Sequence, residues 1–166
     1  INRLVSAIDE KQKLVLLVGP TGSGKTTLLK RLQTVIDEDV IYLNKPPKTI
    51  DDLLWIFNHK FSSGFIFKNK VKNVHHLTHW LNTKIKRHLV ILVDEAHETS
   101  QDILEWIRVI SDQVDDITIV LSGLPSFEDM LRRKLETLRA RASAKIELLS
   151  LTKEATLELI RKRIEY

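Results

Sequence analysis

The stretch GPTGSGKTTLLKRL, Gly19 to Leu32, decides which fold this chain can adopt. It follows a continuous apolar run of strand length, Leu14 to Val18, and it continues into leucines at helical spacing. Its glycines allow the main chain to approach a ligand that a side chain would block. A helix that begins near Lys25 adds a positive dipole end and unpaired N–H groups, which favour an anion. The order of strand, glycine-rich loop and helix therefore predicts a binding site for phosphate groups.

The spacing of four residues makes this prediction specific. Gly19, Gly24, Lys25 and Thr26 match the pattern G-x-x-x-x-G-K-[ST], in which main-chain N–H groups surround nucleotide phosphates. We expect Lys25 to reach the terminal phosphates and the Thr26 hydroxyl to hold Mg²⁺. The expected nucleotide-binding residues are Gly19, Pro20, Thr21, Gly22, Ser23, Gly24, Lys25, Thr26 and Thr27.

Length and composition predict a single globular domain. The chain has 166 residues, of which 43% are hydrophobic and 29% charged, as in ordinary globular proteins. None of its apolar runs approaches the roughly 20 residues that cross a bilayer, so we expect no membrane segment and a cytoplasmic protein. With no cysteine in the sequence, disulfides and thiolate metal sites are excluded.

The hydrophobic pattern predicts a three-layer α/β fold. Strands are predicted at 14–18, 40–43, 89–93, 117–121 and 145–148. Helices are predicted at 26–36, 50–59, 74–87, 100–113, 126–141 and 152–165, with Ser100 and Thr152 as N-caps. Buried strands that alternate with helices indicate a five-stranded parallel sheet covered on both faces.

A second motif is LVILVDEAH, Leu89 to His97. A buried strand that ends in Asp94 and Glu95 places two carboxylates at the edge where open α/β sheets bind ligands. This is the Walker B arrangement. We expect Asp94 to hold the Mg²⁺ shell and Glu95 to orient and polarise the attacking water, as phosphoryl transfer requires.

The two motifs together resemble those of the AAA+ ATPases. The stretch LSGLPSFEDML, Leu121 to Leu131, and the LRAR of Leu138 to Arg141 are similar to the ExeA-like secretion-pathway ATPases and related transposition ATPases. The resemblance covers nearly the whole chain. It implies a P-loop ATPase core at residues 1–150, the start of a truncated helical lid at 151–166, and a homo-oligomer when ATP is bound.

The resemblance also implies roles for three further residues. Ser122 corresponds to sensor 1, Asn44 to a switch residue after the second strand, and Arg141 to an arginine finger. ATP is preferred over GTP, because the stretch NKPP has Pro47 where the guanine-reading motif needs an aspartate. The expected catalytic residues are thus Glu95, Lys25, Arg141 and Ser122.

A basic segment lies between the second and third strands. From Leu53 to Val93 there is no acidic residue, whereas seven are basic: Lys60, Lys68, Lys70, Lys72, Lys84, Lys86 and Arg87. Aromatic residues are interleaved with them at Phe57, Phe61, Phe65, Phe67 and Trp80. Such a segment suits single-stranded nucleic acid, an acidic partner, an anionic membrane surface, or a solvated face whose aromatics belong to the core. The histidine pair His75 and His79 has no third ligand type nearby and does not predict a metal site.

Two functional classes follow. The first is an Mg-dependent ATPase that powers or switches assembly of an envelope machine for secretion, type IV pili or DNA uptake, located at the cytoplasmic face of the inner membrane. The second is a transposition-type ATPase, in which ATP controls oligomerisation on DNA. The intact Lys25, Asp94 and Glu95 favour the first, and the basic segment at 60–87 favours the second.

Overall fold

The computed structural model describes residues 1–61 and 71–150. Its centre is a five-stranded parallel sheet with the strand order β2-β3-β4-β1-β5. The strands are β1 Leu14–Val18, β2 Asp39–Leu43, β3 Leu89–Val93, β4 Ile117–Gly123 and β5 Ala144–Glu147. The helices are α1 Asn2–Asp9, α2 Lys25–Val35, α3 Ile50–Lys60, α4 Val74–Lys84, α5 Gln101–Gln113, α6 Pro125–Lys134 and α7 Glu136–Arg141. The predicted α/β P-loop fold is therefore confirmed.

Helices cover both faces of the sheet. On one face, α3 to α7 contribute to a core that includes Phe57 and Phe127, both 1% exposed. On the other face, α1 and α2 pack through Leu4 and Leu29 against alternate residues of the central strands. Every residue of β1, β3 and β4 is buried, because both faces of these strands are covered.

The register of the sheet gathers the predicted motifs at one edge. Val18 of β1 pairs with Gly123 of β4, and Val93 of β3 pairs with Leu121, which is also on β4. The strands are parallel, so the loops that follow them leave the sheet on the same side. The glycine-rich loop after β1, Asp94 and Ser122 consequently lie close together.

The structure corrects two helix predictions. Helix α1 was not predicted, although it buries Leu4, Ala7 and Ile8 against the sheet. The single helix predicted at 126–141 is divided into α6 and α7 at Leu135, whose φ of −136° and ψ of 52° are not helical. The Ser100 N-cap is present, because its hydroxyl accepts a hydrogen bond of 3.4 Å from the Ile103 N–H. Thr152, the helix predicted at 152–165 and the lid segment 151–166 lie outside the described residues.

Candidate nucleotide site

The main chain of the loop between β1 and α2 requires glycine. Gly22 and Gly24 have φ values of 78° and 88°, a region that residues with a Cβ atom rarely adopt. At Gly19, a Cβ atom would lie 2.7 Å from Ser23 Oγ and 2.8 Å from the Leu148 carbonyl oxygen. The glycine pattern is thus explained by conformation at two positions and by close packing at the third.

Lys25 begins α2 and is held by the loop that precedes it. Its ammonium donates hydrogen bonds of 2.8 Å and 2.9 Å to the carbonyl oxygens of Gly19 and Pro20. The residue is only 6% exposed. A buried ammonium with only neutral carbonyl partners among the described residues retains most of its attraction for an anion.

Asp94 accepts hydrogen bonds from four groups directly after β3. Its Oδ2 accepts from the Thr26 hydroxyl at 2.6 Å and from the Tyr42 hydroxyl at 3.3 Å. Its Oδ1 accepts from the Ser122 hydroxyl at 3.1 Å and from the Glu95 N–H at 3.0 Å. Asp94 is 1% exposed, so these donors stabilise a carboxylate in a site from which water is largely excluded.

Tyr42 is the member of this group that sequence reasoning missed. It lies on β2, the neighbour of β3, and its side chain reaches the residue that follows β3. Burial, followed by the nearby charge of Asp94, raises the pKa of the Tyr42 hydroxyl to about 12. Tyr42 therefore remains a hydrogen-bond donor at any pH near neutrality. Only the pairing of β2 with β3 relates the two residues, which are far apart in sequence.

Glu95 and His97 border a cavity beside the loop. Glu95 has a φ of 51°, and its Oε2 lies 3.4 Å from His97 Nε2. The cavity has a volume of about 320 Å³. It is lined by Thr21, Gly22, Gly24, Lys25, Thr26, Thr27, Glu95, His97 and Leu124. A second carboxylate thus faces the same space as the lysine and the helix N-terminus.

A further cavity of about 320 Å³ adjoins the other end of the loop. It lies between α1, α2 and the end of β5, and its apolar walls include Leu4, Leu28 and Leu148. Leu148 also contacts Gly19, since the Leu148 carbonyl limits the space at that glycine. The phosphate loop therefore has a polar cavity on one side and a more apolar one on the other.

The expected residues Arg141 and Asn44 neither line these cavities nor share a hydrogen bond with Asp94. Arg141, at the end of α7, is 56% exposed in its side chain and pairs with Asp112 at 3.0 Å. Asn44 directly follows β2 and is exposed. Neither residue lines the cavity beside Glu95.

The residues present fit a magnesium nucleotide. The positive end of α2, the Lys25 ammonium and the glycine-rich main chain suit phosphate oxygens. The Thr26 hydroxyl and the Asp94 carboxylate are oxygen ligands of the type that Mg²⁺ prefers. No group of three potential metal-ligating His, Asp or Glu side chains occurs in the described part of the chain.

The structure assigns part of the basic segment to the core. Phe57 is buried, and Phe61 and Trp80 pack against the same core with ring centroids 5.0 Å apart. Phe65, Phe67, Lys68 and Lys70 lie outside the described residues. Within residues 1–61 and 71–150, no helix has both the length and the hydropathy that crossing a membrane requires.

A family profile described as an AAA domain matches residues 8–131. The chain belongs to the AAA domain family. Its structure is similar to that of the Aeropyrum pernix ORC2 protein in its ADPNP–ADP complexes, with a TM-score of 0.71 and 16% sequence identity. The match covers 99% of this chain and 49% of the ORC2 chain. The chain is also similar to the Aeropyrum pernix ORC1 protein in complex with DNA, with a TM-score of 0.68 and 16% identity over 99% and 48% of the two chains.

A Walker-type ATPase of Pyrococcus abyssi shares the fold as well, with a TM-score of 0.62 and 16% identity over 96% of this chain and 55% of that one. The AAA chain spans about half the length of these three structures. At this level of identity the similarity establishes the fold of the AAA core.

Proposed function

We propose that this AAA domain binds Mg·ATP and hydrolyses it to ADP and phosphate, with residues 1–150 as the ATPase core and 151–166 as the start of a lid. The observation that carries the proposal is the hydrogen bond of 2.6 Å between Thr26 Oγ1 and Asp94 Oδ2. It joins Thr26, which lines the cavity beside Glu95, to the carboxylate that directly follows β3. That is the arrangement that a magnesium-dependent phosphoryl-transfer site needs.

Each part of the site has a role in binding. The main chain of Gly19 to Gly24 and the N-terminus of α2 would hold the phosphates, and Lys25 would exchange its carbonyl partners for phosphate oxygens. Thr26 and Asp94 would hold Mg²⁺, which supplies charge neutralisation on the phosphates when bound. The cavity near Leu28 and Leu148, whose lining is mostly apolar but includes Asn2, Arg3 and Glu147, suits the adenine base.

The catalytic roles follow from position and charge. Glu95 faces the cavity and would orient and polarise the attacking water. Ser122 holds Asp94 through its hydrogen bond to Oδ1 and would act at the sensor 1 position. Arg141 lies away from the cavity of its own chain and would serve a neighbouring subunit in an ATP-bound homo-oligomer.

Substitution of Lys25 tests the binding proposal directly. Lys25→Ala removes the only ammonium that lines the described part of the cavity, and we expect tight Mg·ATP binding to be lost in calorimetry. Lys30→Ala is the matched control, because Lys30 is an exposed lysine on the same helix. An unchanged affinity of Lys25→Ala would contradict the proposal.

The ATPase would drive assembly on a partner, and two partners have support. The motifs that resemble ExeA-like ATPases favour an envelope machine for secretion, pili or DNA uptake, with the protein at the cytoplasmic face of the inner membrane. The basic segment favours DNA, and two structures with a similar fold are complexes with DNA: Aeropyrum pernix ORC1, and Drosophila ORC bound to AT-rich DNA and Cdc6. ATP turnover with and without DNA separates the two, because only the second function predicts stimulation by DNA.

A further inference from the structure

The outer face of α3 carries an exposed tryptophan that the core does not use. Trp55 is 65% exposed, whereas the chain's other tryptophans, Trp80 and Trp106, pack against the core. The buried side of α3 is formed by Leu53, Leu54 and Phe57, so Trp55 points away from the sheet. Tryptophan is enriched at binding surfaces relative to the rest of the protein surface.

The indole is held in a defined orientation. Its ring stacks on the His59 ring with centroids 5.0 Å apart and planes inclined by only 4°. His59 lies one helical turn after Trp55, so the stack is built on rigid helix. One face of the indole is thus covered by His59, and the preordered ring loses little conformational entropy when a ligand covers the other face.

The main chain at Val71, next to the cationic Lys72, is hydrogen-bonded to α3 beside this stack. The Asn58 side chain donates a hydrogen bond of 3.1 Å to the Val71 carbonyl oxygen and accepts one of 2.9 Å from the Val71 N–H. Lys72 follows Val71 and is exposed. Trp55, Asn58, His59 and Lys72 line one open groove of about 400 Å³.

We propose that this groove binds single-stranded DNA, with a base on the open face of Trp55 and a phosphate at Lys72. Stacking on an aromatic face together with a nearby cation is the chemistry by which proteins hold single strands. Lys72 supplies the positive charge in the groove, and the segment from Leu53 to Val93, which contributes every lining residue except Asp51, contains no acidic residue. Asp51 also lines the groove, and because its negative charge repels a phosphate, we place the phosphate at Lys72.

The surroundings of Trp55 favour a nucleic acid over a protein partner. A tryptophan at the centre of a protein interface is surrounded by apolar surface that excludes water. Here its neighbours in the groove include Asp51, His59 and Lys72, while Leu54 and Val71 are only 7% and 4% exposed. This proposal rests on the second proposed function, in which the ATPase acts on DNA, and it names the site where the DNA would bind.

Fluorescence anisotropy with a labelled oligothymidylate, at low salt with ATP and Mg²⁺ present, tests the groove. We expect Trp55→Ala to weaken binding about tenfold or more and Trp55→Phe to retain most of the affinity, because phenylalanine still stacks. Lys72→Glu should weaken binding and reduce its salt dependence, whereas Lys134→Glu, the same charge change at an exposed site on α6, should have a smaller effect. Intrinsic tryptophan fluorescence should be quenched by the unlabelled oligonucleotide in the unaltered chain but not in Trp55→Phe.

The outcomes distinguish this groove from the broader proposals. Binding that is unchanged in Trp55→Ala and Lys72→Glu would overturn the groove while leaving a DNA-dependent ATPase in place. Absence of any oligonucleotide binding would overturn both the groove and the DNA-dependent function. In either case ATP hydrolysis without DNA should equal that of the unaltered chain, because neither Trp55 nor Lys72 lines the nucleotide cavity. A capture of acidic peptide by the same residues, without oligonucleotide binding, would assign the groove to a protein.

Discussion

The Tyr42 hydroxyl donates a hydrogen bond of 3.3 Å to Oδ2 of Asp94, the same oxygen that accepts from Thr26. Tyr42 thereby helps to orient Asp94, the expected Mg²⁺ ligand, without being a ligand itself. Groups in this position orient metal ligands and tune their affinity.

Tyr42→Phe should therefore raise the Mg²⁺ concentration needed for half-maximal ATP turnover. The bond is long, so we expect an increase of about tenfold or less, with a smaller change in the rate at saturating Mg²⁺. Thr83→Ala is a suitable control, because it removes an exposed hydroxyl that bonds only to the main chain of its own helix within the described residues. An Mg²⁺ dependence identical to that of the control would show that Tyr42 does not support Asp94.

Glu95→Gln should separate binding from chemistry. The amide keeps the size and hydrogen bonding of the side chain but loses the charge that polarises water, so turnover should fall steeply while ATP still binds. The variant should accumulate the ATP-bound assembly, which size-exclusion chromatography with ATP measures. Turnover close to normal would place the catalytic carboxylate elsewhere.

Arg141 should act between subunits. Its ion pair with Asp112 is on the surface, where such pairs contribute only about 0 to 1 kcal/mol, so the guanidinium is available to a neighbour. We expect specific ATPase activity to rise with protein concentration and Arg141→Ala to abolish this rise without weakening ATP binding. An arginine finger contributes about 10³ to 10⁵ in rate in other phosphoryl-transfer enzymes. Arg133→Ala, which removes an exposed arginine from α6, should behave like the unaltered chain.

Glu128 should make the free energy of unfolding depend on acid pH. Its carboxylate contacts Lys145 at 2.6 Å, Arg132 at 3.0 Å and Arg139 at 3.2 Å. Lys145 above all, then the two arginines, lower the pKa of Glu128 to about 2. A lowered pKa in the folded state stabilises the protein above the ordinary pKa of 4.5, and this stabilisation is lost as the pH falls towards 2.

Urea unfolding across this pH range measures the effect. The unaltered chain should lose on the order of 2 to 3 kcal/mol more than Glu128→Gln between pH 5 and pH 2, because the variant cannot titrate there. Glu136→Gln, an exposed carboxylate on α7, should show the pH dependence of the unaltered chain. If the free energy of unfolding depended on pH in the same way for Glu128→Gln and the unaltered chain, titration of Glu128 would be excluded as the cause of the acid destabilisation.

Much of the fold was predictable because it depends on local patterns. The glycine-rich loop and the apolar runs at Leu14–Val18 and Leu89–Val93 specify strands buried on both faces, and the helices between them enforce parallel pairing. Helix α1 was missed although Leu4, Val5, Ala7 and Ile8 recur at helical spacing, because a helix of eight residues is marginal by itself and depends on burial against the sheet. The break at Leu135 was missed because the apolar pattern continues through it, and packing rather than propensity interrupts the helix.

The sequence by itself determined the local conformations that carry the contiguous motifs, and so the prediction of their site residues, because the conformation of a glycine loop and the end of a buried strand are local properties. Gly19 to Thr27, Asp94 and Glu95 are of this kind. Tertiary structure alone decided that Tyr42 and Ser122 donate to Asp94, that Arg141 pairs with Asp112, and that Trp55 stays exposed while Trp80 packs inward. These relations depend on strand order, register and the orientation of each helix on the sheet. Those features are decided by contacts between residues that are far apart in the chain.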